Sequence, residues 1–112
     1  MSTLLPTDVN NNIIPALRLK PDGAHSISVS AVSARNSISF SSDTKIISLY
    51  ATAPIFINFG NSSVVADNTD HYFPAGIYYD VALGGDTGSS QFTHISVIRA
   101  ETDCNLYISE KI

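Results

Sequence analysis

Serine and apolar residues take turns along Ser26–Ala31, and this period of two constrains the chain more than any other feature. Ile27, Val29 and Ala31 fall on one side, Ser26, Ser28 and Ser30 on the other. Successive side chains of a strand point to opposite faces, so the pattern is that of a strand with one buried and one hydroxylated face. It recurs at Ile38 and Phe40, set among Ser37, Ser39 and Ser41. Lys45–Thr52, Pro54–Phe59, Ile77–Leu83, Phe92–Ala100 and Cys104–Ser109 read as further strands, and a weaker one is expected over Ile14–Leu19, where Pro15 lacks a ladder donor. In Ile77–Leu83 the apolar phase holds Ile77, Tyr79, Val81 and Leu83, which places Tyr79 in the core.

Turn chemistry separates these runs. Pro21-Asp22-Gly23, Gly60-Asn61, Pro74-Ala75-Gly76, Gly84-Gly85-Asp86 and Thr102-Asp103 supply the proline, glycine and Asx residues that reverse a chain. The spacing of about 8–12 residues between them is that of a sandwich or small barrel. No segment carries a sustained helical stripe. The fold class expected is therefore all-β, an antiparallel, jelly-roll-like β-sandwich of about seven to nine short strands. Residues 13–112 form this one domain, and residues 1–12, with Pro6 and three consecutive asparagines, form an extended N-terminal arm. Leu4 and Leu5 give the arm an apolar contact to make, on a neighbouring subunit.

Composition bounds the chemistry. Charged residues are 14% of the 112, below the roughly 25% of an average domain, and 16 serines supply the missing polarity. The net charge is −4 and the six basic residues are scattered, so nucleic acid is not an expected partner. No apolar run approaches the roughly 20 residues of a membrane-spanning helix, and no membrane partner is expected. The segment 1–12 lacks the basic and apolar regions of a secretory signal. A single cysteine, Cys104, excludes an intrachain disulfide and fits synthesis in a reducing cytoplasm.

Candidate catalytic groups do not assemble into a motif. His25, His71 and His94 lack metal-ligand spacing, there is no GxSxG nucleophile elbow, and Cys104 reads as a small half-buried thiol. The two glutamates, Glu101 and Glu110, fall near strand ends, where solvated charge is expected. Asp67-Asn68-Thr69-Asp70 resembles an Asx-turn cluster more than a calcium loop, and the glycines of Gly84–Gly88 match no phosphate-binding loop. Hence no catalytic residue, no metal and no cofactor is expected. An enzyme would require Asp70, His71 and a serine or second acid to meet in one cleft.

The aromatic cluster around Pro74-Ala75-Gly76 is the strongest interaction signal. Tyr72 and Tyr78 are the candidate interface residues, because exposed tyrosine buries large area at small entropic cost. A carbohydrate- or host-surface-binding face would draw on the same two rings.

Ala53-Pro54-Ile55-Phe56-Ile57-Asn58-Phe59-Gly60, then Phe73-Pro74-Ala75-Gly76, Ile95–Ala100 with its Ile98-Arg99 step, and Asn105-Leu106-Tyr107-Ile108 resemble, in their order, a group of small tailed-phage virion structural proteins. The resemblance runs from about Val29 onwards. The longer loop Gly84–Ser90 and the distinct N-terminal arm depart from the group's pattern. It implies a capsid decoration (cement) or head–tail accessory protein, made in the host cytoplasm and located in the virion. Such a protein would form a symmetric homo-oligomer, with a trimer favoured, and would bind the major capsid protein or another virion protein.

Overall fold

A computed structural model of the chain describes residues 9–12, 17–84 and 91–112. Eight strands appear in chain order: β1 (Leu19–Val29), β2 (Ala34–Arg35), β3 (Ile46–Ala51), β4 (Ile55–Gly60), β5 (His71–Phe73), β6 (Tyr79–Ala82), β7 (His94–Arg99) and β8 (Cys104–Lys111). They form two four-stranded antiparallel sheets, ordered β1-β8-β3-β6 and β2-β7-β4-β5. This is the jelly-roll order, a sandwich of two interlocked Greek keys. Residues 1–8, 13–16 and 85–90, and with them the expectations for Leu4, Leu5, Ile14 and most of the Gly84–Ser90 loop, lie outside the described residues.

Alternation builds the core. Ile27 and Val29 of β1, Ile47, Leu49 and Ala51 of β3, and Leu106 and Ile108 of β8 point inward from the first sheet. Ile55 and Ile57 of β4, Phe73 of β5, and Ile95 and Val97 of β7 meet them from the second. Burying each of the Ile, Val, Leu and Phe side chains contributes about 1.5–3 kcal/mol relative to leaving it in water.

Several strands differ from expectation, each for a local reason. Pro21-Asp22-Gly23 does not end a strand: β1 runs through it as a bulge. Register passes from Leu19↔Lys111 to Ala24↔Ser109, five residues of β1 (24 − 19) against two of β8 (111 − 109). Asp22 takes a positive φ of 62° there, a conformation that Asp tolerates better than most residues. Ser37–Ser41 is not a strand. Asn36 takes over its hydrogen bonding, with Nδ2 donating to the Ile38 carbonyl and Oδ1 accepting from the Ile95 amide. Phe40 reaches the core, whereas Ile38 is exposed, as is Ala31 just past β1. Within Ile77–Leu83 the strand is confined to β6. Tyr79 keeps the inward phase expected of it, opposite Leu49, but β6 is a sheet edge, so its ring lies at the open margin of the sandwich, exposed. Its placement in the core is thereby corrected.

Glycine 23 is the tightest point of the bulge. A Cβ added there would meet the Glu110 Cβ at 2.9 Å and the Lys20 carbonyl oxygen at 3.0 Å. Gly23→Ala should therefore destabilise by about 1–3 kcal/mol, the range for an overpacked site, read as a lower urea midpoint with unchanged slope.

Candidate interaction surface

All five tyrosines of the chain are on the surface, with 38–59% of each exposed. Two groups result. Tyr50 of β3 and Tyr107 of β8 are direct cross-strand partners on the outer face of the first sheet. Such partners have Cβ atoms about 5 Å apart, so the two side chains stand side by side on that face. Around them stand Ser26 and Ser28 of β1 and Asn105 of β8, all exposed. On the same face Tyr78 lies 5.2 Å beneath the Lys111 ammonium, and Lys111 Nζ also donates to Asp80 Oδ1 at 3.0 Å. Ser48 donates its hydroxyl to the same oxygen at 2.5 Å and is buried below the pair. The Ser48 hydroxyl and the Lys111 charge hold the Asp80 carboxyl below the usual range. The face thus carries a neutralised ion pair at one edge and an aromatic spot on its two central strands.

Part of the second sheet's outer face is covered by the chain's own loop. Ala66 N–H donates to Ser33 Oγ, Asn58 Nδ2 to the Val65 carbonyl, and Arg35 Nη1 to the Val64 carbonyl. Ser96, which points outward from β7, is fully buried under this cover and shares a 2.7 Å hydrogen bond with Ser33. The second sheet's outer face is thus roofed over β2 and β7 but open at Tyr72 of β5, whereas the first sheet's outer face is bare.

The second tyrosine group borders the flank where β5 and β6, the edge strands of both sheets, come together. The connection Pro74–Tyr78 joins them, with Gly76 at φ 77° and its N–H donating to the Ala51 carbonyl. Tyr72, Phe73, Pro74, Ile77 and Tyr79 line a groove of about 310 Å³ in this flank. Phe73 and Tyr79 pack edge-to-face at 6.4 Å, and Tyr72 packs likewise on Phe56 at 5.7 Å. Of the residues expected at an interface, Tyr72 and Tyr78 are thus both exposed, Tyr72 in the groove and Tyr78 beneath the Lys111 ammonium.

Glu110 corrects an expectation: it is not solvated but 4% exposed. Its phase with Leu106 and Ile108 turns it between the sheets. There Oε2 accepts from His25 Nε2 at 2.7 Å, and Oε1 accepts from the Thr44 hydroxyl at 2.6 Å and the Ser41 amide at 2.9 Å. Burial pushes the carboxyl up, but the donations from Thr44, His25 and Ser41 together outweigh it and bring the group below its usual range. His25 in turn packs edge-to-face on Phe40. Thr44 donates to the acid and not to the imidazole, so this is a satisfied carboxylate and not a nucleophile–base relay.

The remaining candidates are spread over the molecule. Asp70 turns its carboxylate back onto the Asp67 amide, Asp67 accepts from Thr69, and His71 is exposed on β5. This is the expected Asx-turn arrangement, and it does not bring Asp70 and His71 into a cleft. His94 pairs with the neighbouring Thr93 hydroxyl. Cys104 is half-buried, and burial raises its thiol pKa, which disfavours the reactive thiolate. Among the described residues no three His, Cys, Asp or Glu side chains are grouped to hold a metal ion. No family model matches the chain, and neither a curated protein nor a solved structure was found similar to it.

Proposed function

We propose that the chain is a non-enzymatic virion structural protein, a bacteriophage capsid decoration protein that binds the assembled shell and stabilises it as a symmetric homo-oligomer. The observation that carries this reading is the exposure of every tyrosine on a jelly roll, an architecture used in viral capsids. Aromatic residues are enriched where proteins meet, and here they sit amid uncharged hydroxyls, the anatomy of an aromatic core with a polar rim. The bare outer face of the first sheet, centred on Tyr50 and Tyr107, is the shell-binding surface. The order of sequence motifs, which resembles that of small tailed-phage proteins, points the same way.

Stabilisation follows from mass action. A subunit that bridges neighbouring capsomers binds the assembled shell and not its dispersed parts, and so shifts the equilibrium by its own binding free energy. The test is sedimentation of purified protein with tailed-phage shells assembled without it. The protein should travel with the shells and raise the temperature at which they open; protein left at the top of the gradient would remove the proposal.

The runner-up is a carbohydrate- or host-surface-binding module of a phage tail or neck. The groove bordered by Tyr72 and Tyr79 favours it, because jelly rolls also serve as lectins. Saturable glycan binding, abolished by Tyr72→Ala and unaffected by Tyr50→Ala, would favour this module over decoration.

A further inference from the structure

We infer that the cavity beside Lys45, at one end of the sandwich, binds an acidic sugar, with the sugar's carboxylate on the Lys45 ammonium and its hydroxyls on a wall of serines. The inference does not depend on shell binding, which uses the outer face of the first sheet.

Three segments that are distant in sequence build the cavity. Lys45 immediately precedes β3, and its carbonyl accepts from the Leu83 amide just past β6. Ser39–Ser42 belong to the connection before it, and Gln91–Thr93 lead into β7. Together they enclose about 590 Å³, within the roughly 300–1,000 Å³ of small-molecule sites and more than a bare ion needs. Ser39, Ser41, Ser42, Lys45, Gln91 and Thr93 line it, and Phe40 supplies an apolar floor. A second hollow of about 270 Å³ shares Gln91 and Thr93 and reaches Phe92, whose exposed ring is stacked on Phe59 at 5.7 Å.

The lining sets the class of ligand. No carboxylate lines either hollow, since Asp43 lies in the same connection but outside the lining. Lys45 Nζ donates to the neutral Gln91 Oε1 at 2.9 Å, and an ammonium has two further hydrogens to give. An anion placed there gains a charge-assisted hydrogen bond, the stronger kind. Four hydroxyls and an amide around that single charge suit a polyhydroxylated body, and Phe92 offers a flat apolar face to the C–H side of a sugar ring. A neutral sugar would leave the ammonium unused. A bare anion would leave the hydroxyls and Phe92 unused.

The wall is held in place before any ligand arrives. Glu110 accepts from the Ser41 amide and the Thr44 hydroxyl, which grips the connection on both sides of Ser42. Gln91 Nε2 donates to the Ser41 carbonyl at 3.1 Å, and the Phe40 amide to the Thr93 carbonyl at 2.9 Å. Buried ionic groups are a weak source of stability, because apolar packing of the same volume often serves as well. Rigidity is what this network adds, and a site already in its bound shape loses less entropy on binding.

The test titrates glucuronate, galacturonate and N-acetylneuraminate into the protein at neutral pH and constant ionic strength, with glucose and acetate as probes of each half of the contact. Amide chemical shifts of Ser39–Lys45 and Gln91–Thr93 should move saturably with at least one acidic sugar. Glucose and acetate should bind it about 10-fold more weakly or worse, each lacking one half. Lys45→Gln should weaken the acidic sugar by about 10–100-fold, the loss of a hydrogen bond to a charged group, while Lys45→Arg should keep most of the affinity. Tyr72→Ala, in the other groove, should bind as the parent does. Near-ultraviolet circular dichroism checks that each variant is folded, and the comparison of probes on the unaltered protein needs no variant. No saturable shift with any of the three acidic sugars would overturn the site. Glucose binding as tightly as the acids, or Lys45→Gln binding as the parent does, would overturn the role of charge. Acetate binding as tightly would overturn the sugar and leave an oxyanion site. Shifts that vanish in Tyr72→Ala would move the ligand to the β5–β6 groove, and none of these results bears on shell binding.

Discussion

Replacing Glu110 by alanine should lower the unfolding free energy by about 3 kcal/mol, on the order of 15 °C in melting temperature for a domain of this size. The cost comes from what is left behind. Glu110 occupies the inward phase of β8, and its removal strands the buried Thr44 hydroxyl and the part-buried Ser41 amide and His25 Nε2. Buried donors without acceptors cost about 1–3 kcal/mol each before relaxation. Glu110→Gln should cost less, since the amide oxygen can still accept. Acid should imitate the deletion. The folded-state pKa of Glu110 is lowered from the ordinary 4.5, so its contribution is present at pH values above 4.5 and is lost as pH falls through the lower folded value. Urea midpoints measured across this window should fall more steeply for the unaltered protein than for Glu110→Gln, in which Asp80 still titrates. Parallel slopes for the two would show that the carboxylate has no such role.

This network was half legible in the sequence. His25 is in phase with Ile27 and Val29, and Glu110 with Leu106 and Ile108, so alternation alone turns both inward. Two ionisable residues of opposite sign in apolar phases are a signal for a buried pair. Proximity to the strand end outweighed that signal in the reading of Glu110. The pairing of β1 with β8, which joins the chain's two halves, is a long-range choice that local pattern does not encode. The central strands β3, β4, β7 and β8 were legible because each is long enough for two or more repeats of the alternation. The edge strands β2 and β5, two and three residues long, are too short to show a period. Their brevity has a physical use, since short edges offer little template for unwanted pairing. Tyr79 marks the same boundary from the other side: period fixes the face a side chain takes, but depth depends on whether a neighbouring strand covers it. The surface tyrosines were legible at Tyr72 and Tyr78 and missed at Tyr50 and Tyr107, although both stand in the polar phase of their strands, where a large aromatic is unexpected.

Adjacent residues of β3 separate stability from recognition. Leu49 is fully buried, level with Ile108 on β8 and Tyr79 on β6, while Tyr50 points to the bare outer face beside Tyr107. Leu49→Ala should destabilise by about 3–4 kcal/mol, because it removes buried methyl groups and leaves a cavity that a well-packed sandwich cannot fully close. The subunits that remain folded should still bind shells with the parent affinity. Tyr50→Ala should do the reverse. Its ring is partly in water already, so stability should change by no more than about 0.5 kcal/mol. Shell affinity should fall about 30-fold, the equivalent of a 2 kcal/mol hot spot at the centre of an interface. Urea denaturation and gradient sedimentation on the same two proteins measure both quantities. If Tyr50→Ala binds shells as the parent does, the outer face of the first sheet is not the docking surface, whatever its aromatic content. If Leu49→Ala loses binding in proportion to its folded fraction and no further, stability and recognition are carried by opposite faces of a single strand.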